Sequence, residues 1–239
     1  MEVDEGRLNS RGILVRLPGR HDDAPGPELR LVEGRPADFA GSDSGCLLWS
    51  SAVPLANVLW ARRHELCIPG TAAVELGCGC GLASLTAAAA GLQVLATDKD
   101  AAVLQAVTAV NVAANADQLA APVRLACLRW GEMSSMEAVI ATLGRAPSML
   151  LASDVLYEPE AFDALEATIR GFAAAAAACG SCFWVVLSWQ DRSPVTESAF
   201  LARFKDVLPV LSMLHEEEVP DPFSDSGFSS VRVCQLASV

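Results

Sequence analysis

Histidine is scarce, with three residues at positions 21, 64 and 215, and tyrosine occurs once, at position 157. None of the three histidines falls inside a motif described below, so acid–base chemistry built on imidazole is not expected. Basic residues number 17 against 29 acidic ones, a net charge of -12. Such a balance disfavours binding modes in which Lys and Arg neutralise many phosphates, and it suits a basic protein or a small molecule as partner instead of nucleic acid. Long uninterrupted apolar runs are missing, and residues 1–10 are acidic and polar, so neither a membrane span nor a secretory leader is expected. Disulfide framework spacing is missing too: the cysteines at 46, 67, 78, 80, 127, 179, 182 and 234 lie mostly in strand-like apolar stretches. Reduced thiols in a cytoplasmic or nuclear protein are the expectation. Cys179 and Cys182 have half-zinc spacing, but no second pair completes it, and no metal site is expected.

What the chain does have is apolar substance: 52% of its 239 residues are hydrophobic, enough for one sizeable α/β domain. Two β-like runs, Ile13–Leu17 and Leu29–Val32, flank a turn-rich stretch from His21 to Pro27, and they read as a hairpin appendage over residues 1–45 ahead of a main domain over 46–239. A helix is expected from Ser51 to Arg63, with Trp49 just before it. From Ala73 the pattern alternates: strand Ala73–Leu76, helix Gly81–Ala90, strand Val94–Thr97, helix Ala101–Ala114, strands Val123–Leu128 and Met149–Ser153, helix Glu160–Ala178, strand Phe183–Leu187. Alternation of this kind predicts parallel strands. A helix near Ser198–Phe204, a strand near Val210–Leu214, a polar loop from Asp221 to Ser229 and a last strand Val231–Leu236 predict an antiparallel closing hairpin.

The stretch Glu75-Leu76-Gly77-Cys78-Gly79-Cys80-Gly81 carries a strand into a glycine loop and then a helix, where missing side chains let a ligand approach the backbone. As a dinucleotide fingerprint it fails, because the third glycine follows the second by two residues instead of three. Glu75 would repel a pyrophosphate, yet it would favour a cofactor bearing an ammonium and a sulfonium. Asp98 ends the next strand, 21 residues after Gly77, where a carboxylate accepts from both hydroxyls of a ribose. Loop and acid together predict S-adenosyl-L-methionine.

These residues resemble the seven-β-strand class of methyltransferases. The fold implied is a Rossmann-like α/β domain with a seven-stranded, mostly parallel sheet. Ser153-Asp154-Val155-Leu156-Tyr157 after the fourth sheet strand resembles the D-x-x-Y signature of methyltransferase family 16, which consists largely of protein-lysine methyltransferases. Gly45-Cys46-Leu47-Leu48-Trp49 and Leu128-Arg129-Trp130-Gly131 resemble that family's segments at the cofactor. The resemblance implies cofactor binding by Trp49, Glu75, Gly77, Cys78, Gly79, Gly81, Asp98, Trp130 and Ser153, with Asp154 and Tyr157 catalytic. It further implies a monomer acting on lysine of a protein. Arg129 departs from the family, in which an acidic residue is common and could accept from the adenine amino group. The Gln190-Asp191-Arg192 segment resembles a family position as well.

Methyl transfer to an amine is an in-line displacement, so placing the nitrogen and excluding water supply most of the catalysis. A lysine with a reference pKa of about 10.4 costs roughly 4 kcal/mol to deprotonate near pH 7.4. The expected role of Asp154 is to aim the neutral nitrogen, and that of Tyr157 to wall the channel. Three other classes remain open: a small-molecule or nucleobase methyltransferase, a catalytically inactive binding protein with the cofactor fold, and a nicotinamide reductase. The last lacks its Tyr-x-x-x-Lys pair, since Ala161 stands where the lysine belongs.

Overall fold

The computed structural model describes residues 12–19, 26–39, 45–68, 70–220 and 227–238. Strands β1 (Gly12–Arg16) and β2 (Glu28–Val32) form the expected antiparallel hairpin, while the turn residues 21–25 and most of the 221–229 loop lie outside the described residues. Helix α1 (Ala52–Ala61) and the short α2 (Arg63–Leu66) follow, broken at Arg62, where one helix through Arg63 was expected.

Then come β3 (Ala72–Leu76), α3 (Leu82–Ala89), β4 (Gln93–Asp98), α4 (Ala101–Val103), a π-helical turn over Leu104–Thr108 and α5 (Ala109–Ala114). Strand β5 (Val123–Cys127) leads into α6 (Met133–Leu143), a helix the sequence reading passes over. Its buried Met136, Val139 and Leu143 recur at helical spacing, and Gly144 in the left-handed region ends it. Strand β6 (Met149–Ser153), helix α7 (Phe162–Ala178) and strand β7 (Trp184–Gln190) complete the parallel part. Helix α8 (Pro194–Ala202) begins four residues before the expected start, since Pro194 occupies a first-turn position that needs no N–H. Strand β8 (Val210–Pro220) extends well past Leu214 and pairs with β9 (Phe228–Ala237).

The seven strands lie in the order β5-β4-β3-β6-β7-β9-β8, the first five parallel and the last two antiparallel. Alternate residues of the central strands feed two cores. Val74, Leu76, Leu150, Ala152, Val185 and Leu187 pack against α6, α7 and α8, whereas Ala73, Met149, Leu151 and Val186 pack against α1 and α3. The chain leaves β3 toward β4 on one side and returns as β6 on the other. The crevice beyond their carboxyl ends is where open α/β sheets accept ligands.

Candidate active site

A cavity of about 570 Å³ opens at that crevice, and all eleven residues singled out from the sequence line it: Trp49, Glu75, Gly77, Cys78, Gly79, Gly81, Asp98, Trp130, Ser153, Asp154 and Tyr157. Leu47, Leu48, Lys99, Arg129 and Glu132 join them.

Glu75 is buried near the end of β3, and its Oε2 accepts from the Ser84 N–H at 2.9 Å and from the Ser84 hydroxyl. Ser84 sits in the first turn of α3, whose N-terminal flank is Gly81, a residue without a side chain to cap it. Glu75 therefore satisfies a helix donor that the glycine loop leaves orphaned. Burial pushes its carboxyl up to about 7, against the opposing pull of the two Ser84 bonds.

Asp98, at the end of β4, accepts from Gly79 N–H at 3.2 Å and Asp100 N–H at 3.1 Å. Burial raises its pKa, and the two amides work against that rise. Each oxygen keeps a lone pair after these bonds, as two ribose hydroxyls would require.

The loop itself is held from beneath. Cys78 N–H donates to Thr97 O at 2.8 Å, and the Thr108 hydroxyl donates to Gly79 O at 2.7 Å. Thr108 reaches the loop from the end of the π-helical turn, a feature invisible in the periodicity of the sequence. Gly79 has φ +48, and a Cβ there would stand 2.8 Å from Gly45 O, so this position needs glycine on both counts.

On the other side of the crevice Asp154 leaves β6 with φ +55, the one non-glycine residue at positive φ among the described residues. Aspartate is one of the side chains that enter this region at tolerable cost. Its N–H donates to Ser188 O at 2.9 Å. Its side chain is 96% buried, and the carboxylate is held by Arg192 through both oxygens, Nη1 to Oδ1 at 2.7 Å and Nη2 to Oδ2 at 2.9 Å. The carboxylate expected to aim a nitrogen thus sits in a bidentate ion pair. The Gln190-Asp191-Arg192 segment supplies the partner, a signal present in the sequence without its consequence.

Tyr157 and Trp49 stand half-exposed, 45% and 40%, and line the same cavity. The Ser51 and Ser153 hydroxyls meet at 3.1 Å, joining the start of α1 to the end of β6. Glu132 lies three residues beyond Arg129 and brings to this wall the carboxylate that Arg129 lacks. Among the described residues no group of His, Cys, Asp and Glu could hold a metal ion, and no helix is long and apolar enough to cross a membrane.

The family model described as lysine methyltransferase matches residues 35–207. The chain is similar to the histone-arginine methyltransferase METTL23 of Rattus norvegicus, 30% identical over 153 residues that cover 63% of each protein. It is 33% identical to the Homo sapiens protein of that name over 125 residues, 51% of this chain and 60% of the relative. The matches thus span less than two thirds of either relative. Among solved structures, the 16S rRNA N2 methyltransferase RsmC of T. Thermophilus, in complex with AdoMet and guanosine, shares the fold. Its TM-score is 0.61 at 15% identity, over 96% of this chain and 51% of that one.

Proposed function

This chain belongs to methyltransferase family 16, and on that premise we propose that it moves a methyl group from S-adenosyl-L-methionine to a side-chain nitrogen of another protein, lysine being the acceptor. The observation that carries the proposal is that Glu75, Asp98, Asp154 and Tyr157 line one cavity at the carboxyl edge of parallel strands.

The cavity fits that cofactor. Its two buried carboxylates, Glu75 and Asp98, have no cation among their hydrogen-bond donors, which suits a ligand that is positively charged and rich in hydroxyls. A Cβ at Gly77 would fill space 3.4 Å from the Trp130 ring and 3.6 Å from Val155, so the loop's bareness keeps that gap open. S-adenosyl-L-methionine supplies an electrophilic methyl carbon on a sulfonium. Asp98 would hold the ribose, Glu75 would offset the cationic end, Trp49 and Trp130 would wall the site, and Ser153 with Gly77, Cys78, Gly79 and Gly81 would present close backbone.

At the acceptor end Asp154 lines the cavity while its charge is neutralised by Arg192 from behind the lining. A carboxylate already paired in this way favours an ammonium less than a free one would, which lowers the cost of the reactive neutral amine. Tyr157 closes the mouth with a ring face that also attracts a cation during entry. The net charge of -12 would steer a basic protein partner toward the enzyme. A monomer in cytoplasm or nucleus completes this reading.

A second reading, arginine as acceptor, is favoured by the names of the two relatives. Incubation with labelled cofactor and a basic protein pool, followed by mass spectrometry of the labelled peptides, decides between them. Methyl on lysine, abolished by Asp154→Ala, supports the first reading; methyl on arginine replaces it with the second. Label in RNA or small molecules alone would overturn both.

A further inference from the structure

Two asparagines, Asn111 in α5 and Asn115 just past its end, are fully buried and face the outer edge of β2. Asn115 Oδ1 accepts from Arg30 N–H at 2.7 Å, and its Nδ2 donates to Arg30 O at 2.7 Å. Asn111 repeats the pattern one helical turn earlier, accepting from Val32 N–H at 2.7 Å and donating to Val32 O at 3.1 Å. The carboxamides imitate a neighbouring strand on the β2 edge that β1 does not occupy. Asn115 spends its second Nδ2 proton on Asn111 O. Asn111 spends its own on Cys80 O at 2.9 Å, inside the glycine loop. One side chain thus bridges the N-terminal hairpin and the loop that lines the cavity.

A second bridge leaves the same end of β2. Glu33 accepts from Leu48 N–H at 2.8 Å, and Gly34 N–H donates to Cys46 O at 2.9 Å. Leu47, Leu48 and Trp49 line the cavity, and their segment packs directly on the glycine loop, where Cys80 Sγ lies 3.5 Å from Cys46 O. The end of the hairpin is therefore tied to the cavity wall twice, through Asn111 to the glycine loop and through Glu33 to the segment packed on that loop.

We propose that Asn111 and Glu33 are positioning residues through which docking of the N-terminal hairpin and binding of the cofactor are one linked equilibrium. This rests on the assignment of the cavity to S-adenosyl-L-methionine. Asn111 and Asn115 each make two bonds to the hairpin, and Asn111 alone adds the bond to the glycine loop, so the two make a matched pair. Linkage requires the effect to run in both directions.

The experiment titrates S-adenosyl-L-methionine into the full chain by calorimetry, for wild type, Asn111→Ala and Asn115→Ala. It also follows amide exchange at Arg30 and Val32 with and without cofactor. Asn111→Ala is expected to weaken binding by about tenfold and Asn115→Ala by less than about threefold, while cofactor slows exchange at Val32 in wild type. Should Asn111→Ala not fold, Glu33→Ala takes its place with the same expected loss, restored by Glu33→Gln, which keeps an acceptor for Leu48 N–H. Equal affinities across the variants, or exchange at Val32 indifferent to cofactor, would overturn the proposal. A flat wild-type titration would instead overturn the cofactor assignment beneath it.

Discussion

At the glycine-loop end of the cavity Glu75 and Asp98 are held by backbone N–H groups and one hydroxyl, whereas at the far end Asp154 is held by a guanidinium. All three acids are buried. Dipoles leave a carboxylate its net charge, so burial outweighs the opposing hydrogen bonds and lifts the pKa of Glu75 and Asp98. A guanidinium cancels the charge where it stands. The first end is electrostatically incomplete until a cationic ligand arrives, while the second is complete without one.

Breaking the complete end is expected to cost the most. Arg192→Ala leaves Asp154 buried without its cation and should lower unfolding free energy by about 3 kcal/mol in urea titrations. A loss below about 0.5 kcal/mol, the range of an exposed pair, would erase the contrast between the two ends. Gly79→Ala strains the other end directly, through both its positive φ and the approach to Gly45 O, and should cost about 2 kcal/mol by the same assay.

Asp98→Asn is a subtler change, turning one acceptor oxygen into a donor facing the amides of Gly79 or Asp100. Cofactor affinity should fall by about tenfold in calorimetry, near 1.4 kcal/mol. Stability should change less than in Arg192→Ala.

The smallest effect on cofactor affinity is a pH dependence set by Glu75. Its carboxyl is raised from 4.5 to about 7 in the folded protein, so the folded state holds a proton that the unfolded state has released between those values. Stability of the ligand-free protein should therefore fall as pH rises from about 4.5 to 7 and level off above. A cationic cofactor favours the ionised form, so its affinity should rise a few-fold, on the order of threefold, between pH 6 and 8. Glu75→Gln should flatten both profiles; a slope that survives it assigns the titration elsewhere.

The parallel half of the sheet was readable because strands buried on both faces are short apolar runs, as in Met149–Ser153, set off by glycine and charge. Strand β8 was cut short at Leu214 because His215 to Glu218 is polar, yet an edge strand exposed on both sides tolerates charge along its length. Helix α6 carried a readable stripe that went unused. At the site, residue types and spacing marked the glycine loop, Glu75 and Asp98, while Trp49, Trp130, Ser153, Asp154 and Tyr157 came with the family resemblance; all of them line the cavity. The pairing of Asp154 with Arg192, 38 positions apart, and the reach of Asn111 to β2, 79 positions away, belong to tertiary structure: the 190–192 segment stood out in the sequence, but local pattern does not name its partner.

The order of strands across the sheet also sets an order in time. β9 lies between β7 and β8, although it is the last of the three to leave the ribosome. Until it emerges, β7 shows an open flank and β8 waits without a neighbour. Growth of the sheet from β3 outward can proceed during synthesis, but its final closure is an insertion and not an extension. For a nascent chain this is the interval in which a chaperone would be needed most.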